Sequence, residues 1–287
     1  MLSRRAATLV ELLVALTLAS IVLGAAATSM RGQQRTHGRI AAVSGSDRQL
    51  RSGASVLAAQ LALLDPVAGD LSAGEATDTA IQFRAPIAAS LACDRSVGSA
   101  TFVPDAAGPV AFGGAASLPR TGDSLWWLGD SAWTGGRINA VATIAAVCSV
   151  PVPAVGDALH VALSGSNDTI PAGAPLRITR QTRYGLYRAG DGTLQLGFRE
   201  WSESAHSFSS PQPVAGPLLP AASGRRSGFR YFDDAGQELP GGAIPLDPRQ
   251  VARIRIALHS RVAVHEAGQD SIRCDSVDVA LHRAAGP

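Results

Sequence analysis

The chain has 287 residues, 46% of them apolar and 17% charged, with a formal net charge of +2. That length suits one large domain or two small ones, and the composition is that of a mildly apolar globular protein. So small a basic excess excludes a nucleic-acid surface spread over the whole molecule; the 25 basic side chains are all Arg, with no Lys.

The first predicted element is an apolar helix. From Leu12 to Met30 there is no charge, and most positions are Leu, Val, Ile or Ala. About 20 such residues cross the hydrocarbon core of a bilayer. Arg4 and Arg5 precede the run, and by the positive-inside rule they hold the short tail in the cytoplasm and the rest of the chain outside it. A cleaved secretory signal, cut near Leu23 to Ala27, is the competing reading. The apolar run is long for a signal, and Glu11 stands at its start, where a charge is costly and marks function.

No Pro occurs before Pro66. Past Met30 the apolar residues Ile40, Val43, Leu50, Ala54, Leu57, Leu61 and Leu64 recur at spacings of three, four or seven, one stripe of a helix. Asp47 falls on that stripe where another apolar residue would fit. Gly38, Gly45 and Gly53 each weaken the helix by roughly 1 kcal/mol relative to Ala. The pattern predicts one helix from about Thr8 to Leu64, stopped by Asp65-Pro66 and roughly 85 Å long. Its first half is apolar all round, and its second half lays a stripe on a globular head.

The segment Ala6-Ala7-Thr8-Leu9-Val10-Glu11-Leu12-Leu13 resembles the processing motif of type IV prepilins and type II secretion pseudopilins. The resemblance implies cleavage between Ala6 and Ala7 by a prepilin peptidase, methylation of the new N-terminus at Ala7, and a role for Glu11 in subunit assembly. Ala6 stands where the family usually has Gly, and Ala7 where it usually has Phe. The implied organisation is a leader over 1–6, a transmembrane and polymerisation helix over 7–30, an amphipathic helix over 31–65 and a periplasmic head over 66–287. Implied partners are other minor and major pilins or pseudopilins, the peptidase and the inner membrane. The implied location is a single pass through that membrane, then a filament in the periplasm or at the cell surface. No cofactor, metal, catalysis or nucleic-acid ligand is implied.

From Pro66 onward, short runs with period-two alternation and Gly and Pro punctuation predict a β-rich head. Strands are expected over Ala80–Phe83, Ser124–Leu128, Arg137–Cys148, Ala158–Leu163, Leu176–Arg188, Thr193–Trp201, Gly228–Phe232, Val251–Val264 and Ile272–His282. Asp191-Gly192 supplies the turn of a hairpin, and Asp233 to Gly236 supplies another. Ile254, Ile256 and Leu258 share one strand face and Arg253 and Arg255 the other. The order of these pieces resembles the larger minor subunits, the J type of type II secretion and the W type of type IV pili. It implies an α+β pilin-like fold, the long helix packed on an antiparallel sheet. Leu91 to Ala154 fits that order less well and reads as a β-rich insertion. Its Trp126, Trp127 and Trp133 are expected in the core, with an exposed contact patch as the alternative.

Three Cys are too few and too far apart for a zinc site or a redox pair. Outside the cytoplasm Cys93 with Cys148 is the first choice for a disulfide, Cys148 with Cys274 the second, and three free thiols remain open.

One catalytic reading competes. Gly122-Asp123-Ser124-Leu125 and Gly165-Ser166-Asn167-Asp168 spell two blocks of the GDSL esterases, with Ser124 as nucleophile and Asn167 as oxyanion donor. The Asp and His three apart that complete such a site occur only as Asp157 and His160, ahead of the second block. Asp278 and His282 are one residue too far apart. Two turn sequences explain the matches. His259, His265 and Glu266 read as solvated strand residues, and Arg225-Arg226 as a loop pair. The expected function is assembly into a pilus or pseudopilus, in a tip or initiation complex. A membrane-anchored binding or adhesion domain is the alternative from another class.

Overall fold

The computed structural model describes residues 9–66, 68–72, 74–103, 118–129, 132–145, 148–150, 157–165, 168–219, 227–240, 246–262 and 271–281. It is an α+β protein with one long N-terminal helix and an antiparallel β head.

Helix α1 runs Leu9–Leu61, 53 residues without a break, about 80 Å at 1.5 Å per residue. It stops three residues before the expected Leu64, because the last turn tightens. There Leu63 N–H donates to Gln60 and Leu64 N–H to Leu61, at 3.3 and 3.1 Å. Arg177 closes the end, donating to the Leu63 carbonyl at 3.4 Å and to Asp70 at 2.5 Å. A cation there suits the negative end of the helix dipole. Asp70 in turn accepts from the Asp65 N–H at 2.9 Å. Burial pushes the Asp70 carboxyl above the ordinary carboxylate value, and Arg177 offsets only part of that.

Among the described residues the head has fifteen strands. In chain order they are β1 (Ala80–Leu91), β2 (Ser96–Val97), β3 (Ser99–Phe102), β4 (Ser124–Leu128), β5 (Trp133–Ile144), β6 (Ala158–Ser164), β7 (Thr169–Ile170) and β8 (Pro175–Arg188). The later ones are β9 (Leu194–Ser202), β10 (Ser207–Phe208), β11 (Gln212–Leu218), β12 (Gly228–Phe232), β13 (Glu238–Leu239), β14 (Arg253–Val262) and β15 (Ser271–Ala280). Nine strands form one sheet in the order β10-β9-β8-β4-β5-β6-β3, with β1 also on β8 and β11 on β9. A four-stranded sheet runs β13-β12-β14-β15, and β2 pairs with β7. Every pairing among these strands is antiparallel.

The β8–β9 hairpin forms where Asp191-Gly192 predicts it. Gly192 has φ +80, a left-handed value that Gly adopts without a Cβ penalty, and Asp191 accepts from the Thr193 N–H and hydroxyl at 2.9 and 2.7 Å. Gly236, at φ +77, turns β12 towards β13 in the same way.

Among the described residues two large apolar cores organise the head. The first joins the helix stripe Leu50, Ala54, Leu57, Leu61 and Leu64 to Ile81, Phe83, Tyr184, Tyr231, Ile254, Ile256 and Leu258. Phe83 stacks on Tyr184 at 6.0 Å between ring centroids, and burial raises the Tyr184 and Tyr231 pKa values far above a phenol's. The Tyr231 hydroxyl keeps a partner, donating to the Thr77 carbonyl at 2.9 Å. The second core gathers Ile87, Phe102, Leu125, Trp127, Ile138, Val161, Ile170, Leu176 and Ile178. It spans more chain than the expected insertion over 91–154, because β6, β7 and the start of β8 complete it.

The stripe itself is shorter than its periodicity. Ile40 is exposed and Val43 half-buried, so burial sets in fully only at Leu50. Asp47 is explained by the sheet beneath it, since its carboxylate lies 4.0 Å from Arg273 of β15. Immediately before it, the Ser46 hydroxyl donates to that of Ser260 at 3.2 Å. Of the three Trp expected in the core, Trp127 is there. Trp126 is half-buried, donating to Thr179 at 3.1 Å beneath the Arg84 guanidinium at 4.8 Å. Trp133 is 44% exposed.

Candidate functional site: the exposed helix

From Glu11 to Gly38 every side chain of α1 is exposed, Leu12, Leu13, Leu16, Ile21, Val22 and Leu23 among them. A soluble protein rarely leaves so much contiguous apolar surface uncovered, so this surface calls for a lipid or protein partner. By length and composition the helix is able to cross a membrane. Thr17, Ser20 and Thr28 do not spoil that, because each hydroxyl donates back to a carbonyl three residues earlier, at 2.8 to 2.9 Å. Glu11 lies in the first described turn, where a carboxylate suits the positive end of the dipole. Ala6 and Ala7, the expected cleavage and methylation positions, lie outside the described residues.

The head anchors this helix through its far half alone. Gly53 sits against β11, and a Cβ placed on it would come 2.6 Å from the Ala215 Cβ. At Gly38 and Gly45 a Cβ would meet nothing within 4 Å.

The head also contains a buried ionic cluster that the sequence reading missed. Arg180 of β8 donates twice to Asp123, at 2.8 and 2.9 Å, and once to the Leu118 carbonyl at 3.1 Å. Glu200 of β9 stands 3.5 Å from Arg180 and takes a hydrogen bond from Arg120 at 2.8 Å. Burial lowers the Arg180 pKa, and Asp123 and Glu200 outweigh it, so the guanidinium ends above its ordinary value. Two planar groups matched by two parallel hydrogen bonds make a clamp that ties residues 118–123 to the centre of the large sheet. The signal was present as an Arg on the apolar face of a strand, hidden by the many other Arg of the same run.

Asp123 and Ser124 belong to the esterase-like block, and the structure gives them other work. Asp123 is the Arg180 partner. Ser124 lies within β4, opposite Arg137 of β5 and Thr179 of β8. His160 pairs with Ala142, five positions along β5 from Arg137, roughly 17 Å at 3.3 Å per residue. Its Nδ1 is 3.0 Å from the Thr101 hydroxyl. Asp278 is held by Arg255 at 2.6 and 2.8 Å. Ser166, Asn167, Arg225, Arg226, His265, Glu266 and His282 lie outside the described residues. Among the described residues no group of three His, Cys, Asp or Glu side chains is placed to hold a metal ion.

Cys93 and Cys148 are bonded, with their Cα atoms 4.4 Å apart, and Cys274 is a free, exposed thiol on β15. The bridge closes a small third apolar cluster with Val103 and Ala158. At the turn from β4 to β5, Leu128 pairs with Trp133, and both are exposed.

Comparison with protein-family models, with curated proteins and with solved structures finds no match for this chain.

Proposed function

We propose that the chain is a minor subunit of a type IV pilus or of a type II secretion pseudopilus, working in a tip or initiation complex. The observation that carries this reading is the single helix. It begins at a prepilin-like motif with Glu11, leaves its first half exposed and apolar, and buries only its second half in the head. The first half is held in the inner membrane until assembly, then packs against the same helices of other subunits. A carboxylate in such surroundings needs a partner. The N-terminal amine of a neighbouring subunit, freed by cleavage before Ala7, supplies one for Glu11. A misplaced subunit leaves that charge unmatched, which sets register. A head of more than 200 residues suits a tip better than a repeating shaft.

In this reading the head lies on the periplasmic side. Arg31, Arg35 and Arg39 follow the span, yet large domains are translocated largely regardless of flanking charge. The Cys93–Cys148 bridge fits an oxidising compartment.

The test is Glu11→Val in the native host. The variant is expected to be processed at Ala6-Ala7 and to stay in the membrane, but to be lost from sheared filaments. Normal incorporation would refute the pairing role.

The exposed Leu128–Trp133 pair favours a second reading, a membrane-anchored binding or adhesion domain. Deleting 91–154 would remove β2 to β5 and unmake the second core, so Trp133→Ser with Leu128→Ser is the cleaner test. Lost adhesion with intact assembly supports the binder; lost assembly supports the scaffold.

A further inference from the structure

Two arginines face each other on the outer side of the large sheet, Arg183 of β8 and Arg199 of β9. Arg183 is matched by Glu75 at 2.8 Å. Among the described residues the Arg199 guanidinium makes no hydrogen bond or ion pair, and its Nε is buried. Like charges directly opposite each other destabilise a sheet, and a buried donor without an acceptor adds to that cost. An anion would relieve both.

The next pair along the two strands is Gly185 with Gly197, and the one after it Tyr187 with Gln195, each step roughly 7 Å. All six point away from the first core, because Tyr184, Leu186, Leu196 and Phe198 alternate with them into it. A Cβ on Gly197 would come 2.5 Å from the Tyr187 ring, so the ring lies over that glycine. A Cβ on Gly185 would meet nothing closer than Ala80 at 3.4 Å, so there is room above it. The result is a hollow of about 350 Å³, lined by both arginines, both glycines, Tyr187 and Pro211 among others. Ligand pockets start at about 300 Å³.

Three properties select the ligand. Two Arg against Glu75 leave one net positive charge, which a carboxylate matches and a phosphate ester, close to a dianion, exceeds. A guanidinium holds a carboxylate through two parallel hydrogen bonds. At the other end the Tyr187 ring offers its electron-rich face to C–H groups. Its hydroxyl donates to Gln195 at 2.9 Å and keeps its lone pairs for a ligand hydroxyl. A compact ring with a carboxylate at one end and hydroxyls at the other meets all three. We propose that this hollow binds acidic saccharides of the uronic acid class, the carboxylate on Arg199 and Arg183 and the sugar ring over Gly185 against Tyr187. The site belongs to the head alone. It stands whether α1 serves filament assembly or is a simple anchor.

The test is calorimetric titration of the full-length protein in detergent at neutral pH, with the shift in melting temperature as a second readout. The probes are galacturonate, galactose, galactose phosphate and N-acetylglutamate amide. Galacturonate is expected to bind about tenfold or more tightly than galactose, the difference a charged hydrogen-bonded pair makes. It should also bind more tightly than the phosphate ester. Arg199→Gln should remove that advantage and leave the unliganded melting temperature unchanged or higher, since it takes away an unmatched charge. Gly185→Val introduces a residue suited to strands, fills the hollow and should abolish binding with both arginines in place. Glu75→Gln should shift the preference towards galactose phosphate. Galacturonate that binds no better than galactose, or that binds the Arg199→Gln or Gly185→Val protein as well as the native one, overturns the proposal. N-acetylglutamate amide binding as tightly as galacturonate would overturn the saccharide and give the hollow to an acidic segment of another protein. None of these readouts depends on filaments, so the assembly reading stands or falls separately.

Discussion

Gly53 of the helix and Ala215 of β11 stand so close that a Cβ on the glycine would lie 2.6 Å from the alanine's. The helix approaches the sheet at this point because Gly53 has no side chain. Substituting Ala improves helix propensity by about 1 kcal/mol but overpacks the contact, which typically costs about 1–3 kcal/mol. Gly53→Ala is expected to lower the melting temperature of the full-length protein in detergent. Gly45→Ala meets no neighbour and is expected to raise it. Equal shifts from both would refute the close approach.

Arg180 and Asp123 are nearly inaccessible, with side chains 5% and 2% exposed. Breaking a buried pair from one side strands the other charge and typically costs about 3–5 kcal/mol. Arg180→Met is expected to fall in that range by urea unfolding. Arg180→Met combined with Asp123→Leu should cost much less than the two singles summed, and a double-mutant cycle measures the difference. Additive losses would mean the two do not act as a unit.

Two carboxylates give opposite pH dependences. The hydrogen bonds from Arg255 come first among the causes that hold Asp278 below the ordinary value of 3.8. Its contribution is complete above that value and is lost as pH falls through the lower native one. Burial raises Asp70 above 3.8, so its contribution is present below 3.8 and lost as pH rises through the higher native value. Asp278→Asn should flatten the acid limb of a stability–pH profile, and Asp70→Asn the limb just above it. Unchanged slopes would contradict the assignments.

The Cys93–Cys148 bridge spans 55 residues of sequence, and the loop-closure account assigns a loop of that length about 4 kcal/mol. Reduction, or Cys93→Ser with Cys148→Ser, should lower stability by up to that amount. Cys274→Ser should change it little, because that thiol is free and exposed. Thermal unfolding with and without reductant measures both.

The sequence made the helix legible because its apolar period, interrupted at Asp47, runs on to Leu64. The alternating strands β8, β9, β12 and β14 were legible for the same reason, although Arg180 interrupts the apolar face of β8. β11 was not, because Pro213 and Pro217 fall within seven residues and read as a loop; an edge strand tolerates them. β3 was not, because three of its four residues are buried and show no alternation. Exposure of the apolar half-helix followed from composition. The Arg180 clamp did not, since it joins residues 57 apart and nothing local marks Asp123 as the partner of that Arg. Asp47 looked like a flaw in a stripe until β15 brought Arg273 beside it.

β1 and β8 are paired from Ala80–Gly185 to Leu91–Pro175, and the same two ribbons furnish Ile81, Phe83 and Tyr184 to one core and Ile87, Leu176 and Ile178 to the other. The head thus has no seam. Its two lobes cannot melt in turn, because opening either one strips half the partners from both ribbons. Amide protons along the middle of β1 and β8 should exchange only when the whole head opens, as one cooperative unit. Load applied to the helix is therefore borne by the distal lobe as well as the one it touches.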